Sequence, residues 1–164
     1  MANWEKLVTL LDDMVELYKA ILELSRQKRD MLIAVKPQEL EAVTRQEELL
    51  ILRVAKLEST RGKIMQEIAA AAGIAVEGLT LAKMQEMAGP AIAPRLAGVA
   101  AEFDSIMQEL APVNQVNAEL IQRALGFINY NLNLLTQSAT GPTYAAKGTN
   151  TQEAQRSKLV DRKV

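Results

Sequence analysis

The stretch Leu40-Glu41-Ala42-Val43-Thr44-Arg45-Gln46-Glu47-Glu48-Leu49-Leu50-Ile51-Leu52-Arg53-Val54-Ala55-Lys56-Leu57 decides the fold. One row of residues seven apart reads Leu40, Glu47, Val54, Arg61 and Ile68; its companion reads Val43, Leu50, Leu57, Ile64 and Ala71. Alternating steps of three and four put both rows on one face of an α-helix, the pattern of a helix packed along its length against others. Glu47 and Arg61 interrupt the apolar row, either as register devices or as interfacial charges. A helix from Pro37 to Ala72 at 1.5 Å per residue is roughly 54 Å long.

Upstream, Lys36-Pro37 separates this helix from an earlier one. Proline disfavours helical geometry at the residue before it but suits the first helical position. The first helix is predicted over about 3–35, with Asn3 available as N-cap. Trp4, Leu11, Tyr18 and Leu32 share one row, and Leu7, Met14, Ile21 and Val35 the next. Ser25, Lys28 and Arg29 break the stripe, as snorkelling stems beside a looser layer or as a partner contact. So short a connection makes the two helices antiparallel neighbours.

Downstream, Gly73 closes the helix over 37–72 as a C′ glycine. A Gly/Ala/Pro-rich connection follows, holding one short helix over about 81–87, capped by Thr80 and ended by Gly89-Pro90. A third long helix is predicted over about 95–135, with a kink or break at Pro112, whose missing N–H cannot reach the carbonyl of Gln108. Periodicity ends at Thr136. The expected fold is all-α: an antiparallel, coiled-coil-like bundle of three long helices with a short connecting helix over residues 1–135, and a flexible C-terminal tail over 136–164.

Composition narrows the function. Nearly half of the 164 residues are hydrophobic but only 4% are aromatic, so the core must be aliphatic. A net charge of −1 gives no reason to expect nucleic acid. The tail carries Lys147, Arg156, Lys158, Arg162 and Lys163 against Glu153 and Asp161, about +3, leaving the rest near −4. Without cysteine there is no disulfide framework, which fits a reducing compartment. The first residues have neither the basic nor the apolar segment of an export signal, and no apolar run is long enough to insert stably into a membrane. A cytoplasmic location is expected.

The residues for chemistry are also missing. With no histidine, there is neither a phosphotransfer nucleophile nor the Glu-x-x-His of carboxylate di-metal bundles. Asp12/Asp13 and Glu47/Glu48 are adjacent on helices, so each pair diverges by about 100° and makes no dyad. Glycines occur singly, not as a phosphate cradle. No catalysis, metal or cofactor is expected. Of seven methionines, Met14, Met65 and Met107 lie on or beside the core rows, whereas Met84 and Met87 in the connecting helix are more open to a partner.

The segment before the tail, 118–135, carries more apolar residues than a three-helix core needs. Leu120, Ile121, Leu125, Ile128, Leu132 and Leu135 make a wide apolar face, interleaved with Asn114, Asn117, Asn129, Asn131 and Asn133. One reading is a helix buried on two sides, with Asn117 and Asn131 fixing register. The other is a face for a partner's amphipathic helix, with the amides meeting its polar groups.

At these residues the chain resembles the FlgN family of flagellar export chaperones. The likeness is carried by Gln46-Glu47-Glu48-Leu49-Leu50, Lys56-Leu57-Glu58-Ser59-Thr60-Arg61, the Leu79-Thr80-Leu81 connection, the run from Asn114 through Asn117 to Leu120-Ile121, and Phe127 to Leu135. A Gly/Pro/Tyr-bearing tail completes it. The resemblance implies a cytosolic chaperone of flagellar type III export that binds helical C-terminal segments of the hook–filament junction proteins FlgK and FlgL. It would hold them unassembled and deliver them to the membrane export gate. The implied partner-binding residues are Asn117, Leu120, Ile121, Leu125, Ile128, Leu132 and Leu135. By the same resemblance Tyr144, the tail's tyrosine, is the gate-docking residue, although its Ala145-Ala146 flank departs from the pattern. A structural homo-oligomeric coiled coil, or an export-apparatus coiled coil without a client, remains the alternative; a homodimer fits any of these.

Overall fold

The computed structural model describes residues 2–139. They form α1 (Ala2–Ile33), α2 (Pro37–Ala72), α3 (Leu81–Ala88) and α4 (Ala93–Ala139), with a 3-10 turn at Val76–Gly78 and no strand among the described residues. The chain divides into two compact units, Met1–Phe127 and Ile128–Val164. The tail residues from Thr140 on, Tyr144 included, lie outside the described ones.

The corner between α1 and α2 follows from Pro37. Proline opens α2, and Lys36 before it is extended, at φ −109° and ψ 81°. To reach that geometry, α1 stops at Ile33, two residues short of Val35. Val35 itself takes the left-handed conformation at φ 54°. Its N–H donates to the Leu32 carbonyl at 3.4 Å, and that of Lys36 to Met31 at 3.0 Å, the two bonds of a Schellman close. At the other end of α2, Gly73 makes the same close at φ 67°, through Gly73 N–H to Ala70 and Ile74 N–H to Ala69. Thr80 caps α3 by accepting from the Lys83 N–H at 3.2 Å.

In the first unit, Leu7, Leu10 and Met14 of α1 pack with Ile64 and Ile68 of α2, and Val15, Ile21 and Leu22 with Val54. Residue numbers therefore rise along α1 as they fall along α2. The first unit's part of α4 joins the same clusters: Leu96 sits with Val8, and Val99, Ile106 and Leu110 with Val15, Ile21 and Leu22. Ion pairs follow that alignment, from Arg95 with Glu5 (2.8 Å) and Asp12 (3.3 Å), through Lys19 with Glu102 (2.9 Å), to Arg26 with Glu109. Along this pair of helices the numbers rise together. Exposed pairs of this kind each contribute only about 0.2–1 kcal/mol, whereas burying a leucine side chain contributes roughly 1.5–3 kcal/mol. The aliphatic rows hold the unit; the charges align it.

The connection plugs one end of the unit. Leu79 and Ile92 are buried, with Trp4, Met84, Met87 and Ala88 packed around them. Pro112 does not break α4, which runs through it without interruption. Only one backbone bond is forfeited there, and the buried Leu110 and Asn117 on either side hold the helix in place.

Candidate functional site

Buried side chains stop at a polar layer. Ser25 is fully buried, and its hydroxyl donates to Glu47 Oε1 at 2.8 Å. The other Glu47 oxygen accepts from the Lys28 ammonium. Asn117 is 3% exposed, and its Nδ2 donates to the Ser25 carbonyl at 2.9 Å. Reversing that amide would set two oxygens face to face, so the contact with Ser25 fixes its orientation. Asn117 Oδ1 is thereby left buried without a partner, at a cost of about 1–3 kcal/mol. Polar atoms appear here because Ser25, Glu47 and Asn117 occupy inward rows of three different helices at one level.

Beyond this layer the first unit has no sealed core. No side chain from Arg26 to Gln46 is buried, nor any from Ala118 to Phe127. A cleft of about 480 Å³ opens beside the layer, lined among others by Ile51, Val54, Leu110, Asn117 and Ile121.

The residues singled out by sequence therefore have different surroundings. In the first unit Asn117 is buried, Leu120 is half-buried, and Ile121 and Leu125 are exposed, the last at 49%. In the second unit Ile128, Leu132 and Leu135 are exposed. A leucine of a three-helix core would be covered by its neighbours; Leu125 is not. Within the first unit, Ile121 and Leu125 thus leave apolar side chain open on one helix, a candidate contact surface.

Leu49, Ile51 and Leu52 on α2 are also exposed and were not picked out by the heptad rows. The signal was present in the sequence. Four consecutive apolar residues, Leu49 to Leu52, exceed what a helix with one buried stripe can cover.

Among the described residues no three His, Cys, Asp or Glu side chains come together as a metal site. No helix among them is long and apolar enough to cross a membrane. The geometry offers apolar contact and hydrogen bonding along helices.

No curated protein and no solved structure matches the chain. The family model described as FlgN protein matches it over residues 1–152, nearly its whole length. A chain whose described residues are helical and strand-free, matched over residues 1–152, belongs to the FlgN family, the family of flagellar export chaperones.

Proposed function

We propose that this chain is a cytoplasmic, non-catalytic chaperone that binds the helical ends of the hook–filament junction proteins FlgK and FlgL and delivers them to the export gate. Within the first unit its three long helices run up, down and up. The observation that carries the reading is the exposure of Leu125 on α4 in a chain of this family. Isolated junction subunits carry apolar helical ends that would otherwise assemble or aggregate. Covering about 600–1,000 Å² of such surface per side gives a moderate, releasable affinity without nucleotide.

In this reading Leu120, Ile121, Leu125, Ile128, Leu132 and Leu135 supply apolar contact, and Asn117 holds the start of the binding stretch in register. Tyr144 in the tail engages the gate.

Co-purification with FlgK and FlgL tests the proposal. Leu125→Asp is expected to abolish capture of both while far-ultraviolet circular dichroism stays unchanged. Undiminished capture by a folded Leu125→Asp variant moves the client elsewhere. Absence of any junction protein with the native chain, together with a symmetric oligomer in light scattering, favours a structural coiled coil instead.

A further inference from the structure

Two adjoining hollows of about 620 Å³ and 510 Å³ lie between α1 and α2, and none of their lining residues belongs to α4. The first is floored by Leu24, Leu49, Leu50 and Leu52; the second continues past Leu17 and Leu57 to Asp13 and Glu16. Arg53 and Lys56 line both. Leu49 is 62% and Leu52 68% exposed, although the core rows of α2 pass through Leu50, Val54 and Leu57 instead. These leucines contribute little to the fold.

The charges select what can lie there. Lys19, Arg26, Lys28, Arg61 and Arg95 each have a carboxylate partner. Arg53 and Lys56 make no ion pair among the described residues, so two unpaired cations stand over the apolar floor of the first hollow, with Asp13 and Glu16 lining the second hollow beside them. At the far end of the trough Glu16 is already bound to Lys19, and Asp13 adds a negative charge. The trough is therefore apolar at the Leu24–Leu49 end, cationic at its middle and acidic at the Asp13 end. From Gln46 to Leu57 it extends about 16 Å along α2, the length of three helical turns.

We propose that this trough docks an amphipathic helix of a partner protein, about three turns long, with carboxylates flanking its apolar stripe. The stripe covers Leu24, Leu49 and Leu52, and the carboxylates reach Arg53 and Lys56. A basic helix meets like charge at mid-trough, and an uncharged one leaves both cations unanswered. The occupant is distinct from the client assigned to α4, so a loaded chaperone retains a second handle.

The test places a photo-crosslinking residue, p-benzoylphenylalanine, at Leu52 of the full chain in flagellated cells and maps the attached segment by mass spectrometry. The expected product is a segment of another protein with Leu, Ile or Val at helical spacing and Asp or Glu beside them. The pair Arg53→Glu and Lys56→Glu is expected to reduce its yield about tenfold and to leave co-purification of junction proteins unchanged. Circular dichroism checks that the variant is folded, and all three sites are exposed. Attachment to a second copy of this chain, to a junction protein or to nothing overturns the proposal. So does a segment without carboxylates, or a yield indifferent to the charge reversals. Leu125→Asp separates the two assignments: it removes the α4 client and leaves the Leu52 product in place.

Discussion

The side-chain amide of Asn117 on α4 donates to the main-chain carbonyl of Ser25 on α1 at 2.9 Å, across ninety-two positions of sequence. With Ser25 bound in turn to Glu47 of α2, three helices meet at one polar level. A helix pair held only by aliphatic rows can slip by a heptad at modest cost; a pair carrying this layer cannot, because a slip strands Glu47 in an apolar environment.

Lys28→Met is expected to destabilise the protein by about 3 kcal/mol, since it leaves Glu47, with a side chain only 10% exposed, without its cation. The double variant Lys28→Met with Glu47→Leu should recover most of that loss. Urea denaturation of the two single variants and the double closes the cycle, and equal losses in single and double would rule the pairing out.

Val35 and Gly73 occupy the same left-handed region, at φ 54° and 67°, yet only glycine does so without strain. Val35→Gly should stabilise the chain by about 1 kcal/mol, and Gly73→Val destabilise it by about 1–2 kcal/mol. Val35 is 83% exposed, so its removal sacrifices little packing. Thermal melts read both.

Leu96 and Leu125 share a helix and differ in exposure. Leu96→Ala, at a site 1% exposed, is expected to cost about 2–5 kcal/mol of stability. Leu125→Ala should change stability by less than about 0.5 kcal/mol while weakening client binding by about 1–3 kcal/mol. Calorimetric titration with a junction-protein C-terminal peptide, beside a denaturation curve, separates the two effects.

The Lys19 ammonium is held above its usual value of 10.5, chiefly by its hydrogen bond to Glu16 and then by that to Glu102. A raised lysine contributes stability that is complete below its unfolded value and is lost as pH climbs through the raised one. The alignment of α1 with α4 at this level should therefore weaken only in strong alkali. Nitrogen-detected NMR titration checks this, with Glu16→Gln expected to lower the midpoint more than Glu102→Gln.

Much of the fold is legible because single residues dictate local backbone. Pro37 starts α2, Gly73 closes it and Thr80 caps α3, each through a mechanism that needs only neighbours in sequence. Heptad spacing likewise picks out Leu7, Met14, Ile21, Val54, Ile64 and Ile68 as buried. Val35 is different. Nothing in its identity announces a left-handed turn; the demand comes from Pro37 and the need to reverse direction. The pairing of Ser25, Lys28 and Glu47 is also invisible locally, since their row positions say they face inward but not which partner they face. Leu49 and Leu52 escaped because two complete rows already accounted for α2, and a second face is seen only when the first is filled.

The plug of Leu79, Ile92 and Trp4 guards one extremity of the first unit, and among the described residues nothing equivalent guards the hairpin corner at Val35. Unravelling therefore has a direction. The corner frays first, and the connection at the plugged extremity lets go last. A protease probing the native molecule will nick near Val35 long before it reaches Lys83, so the first unit opens from one side only, like a book bound along its spine.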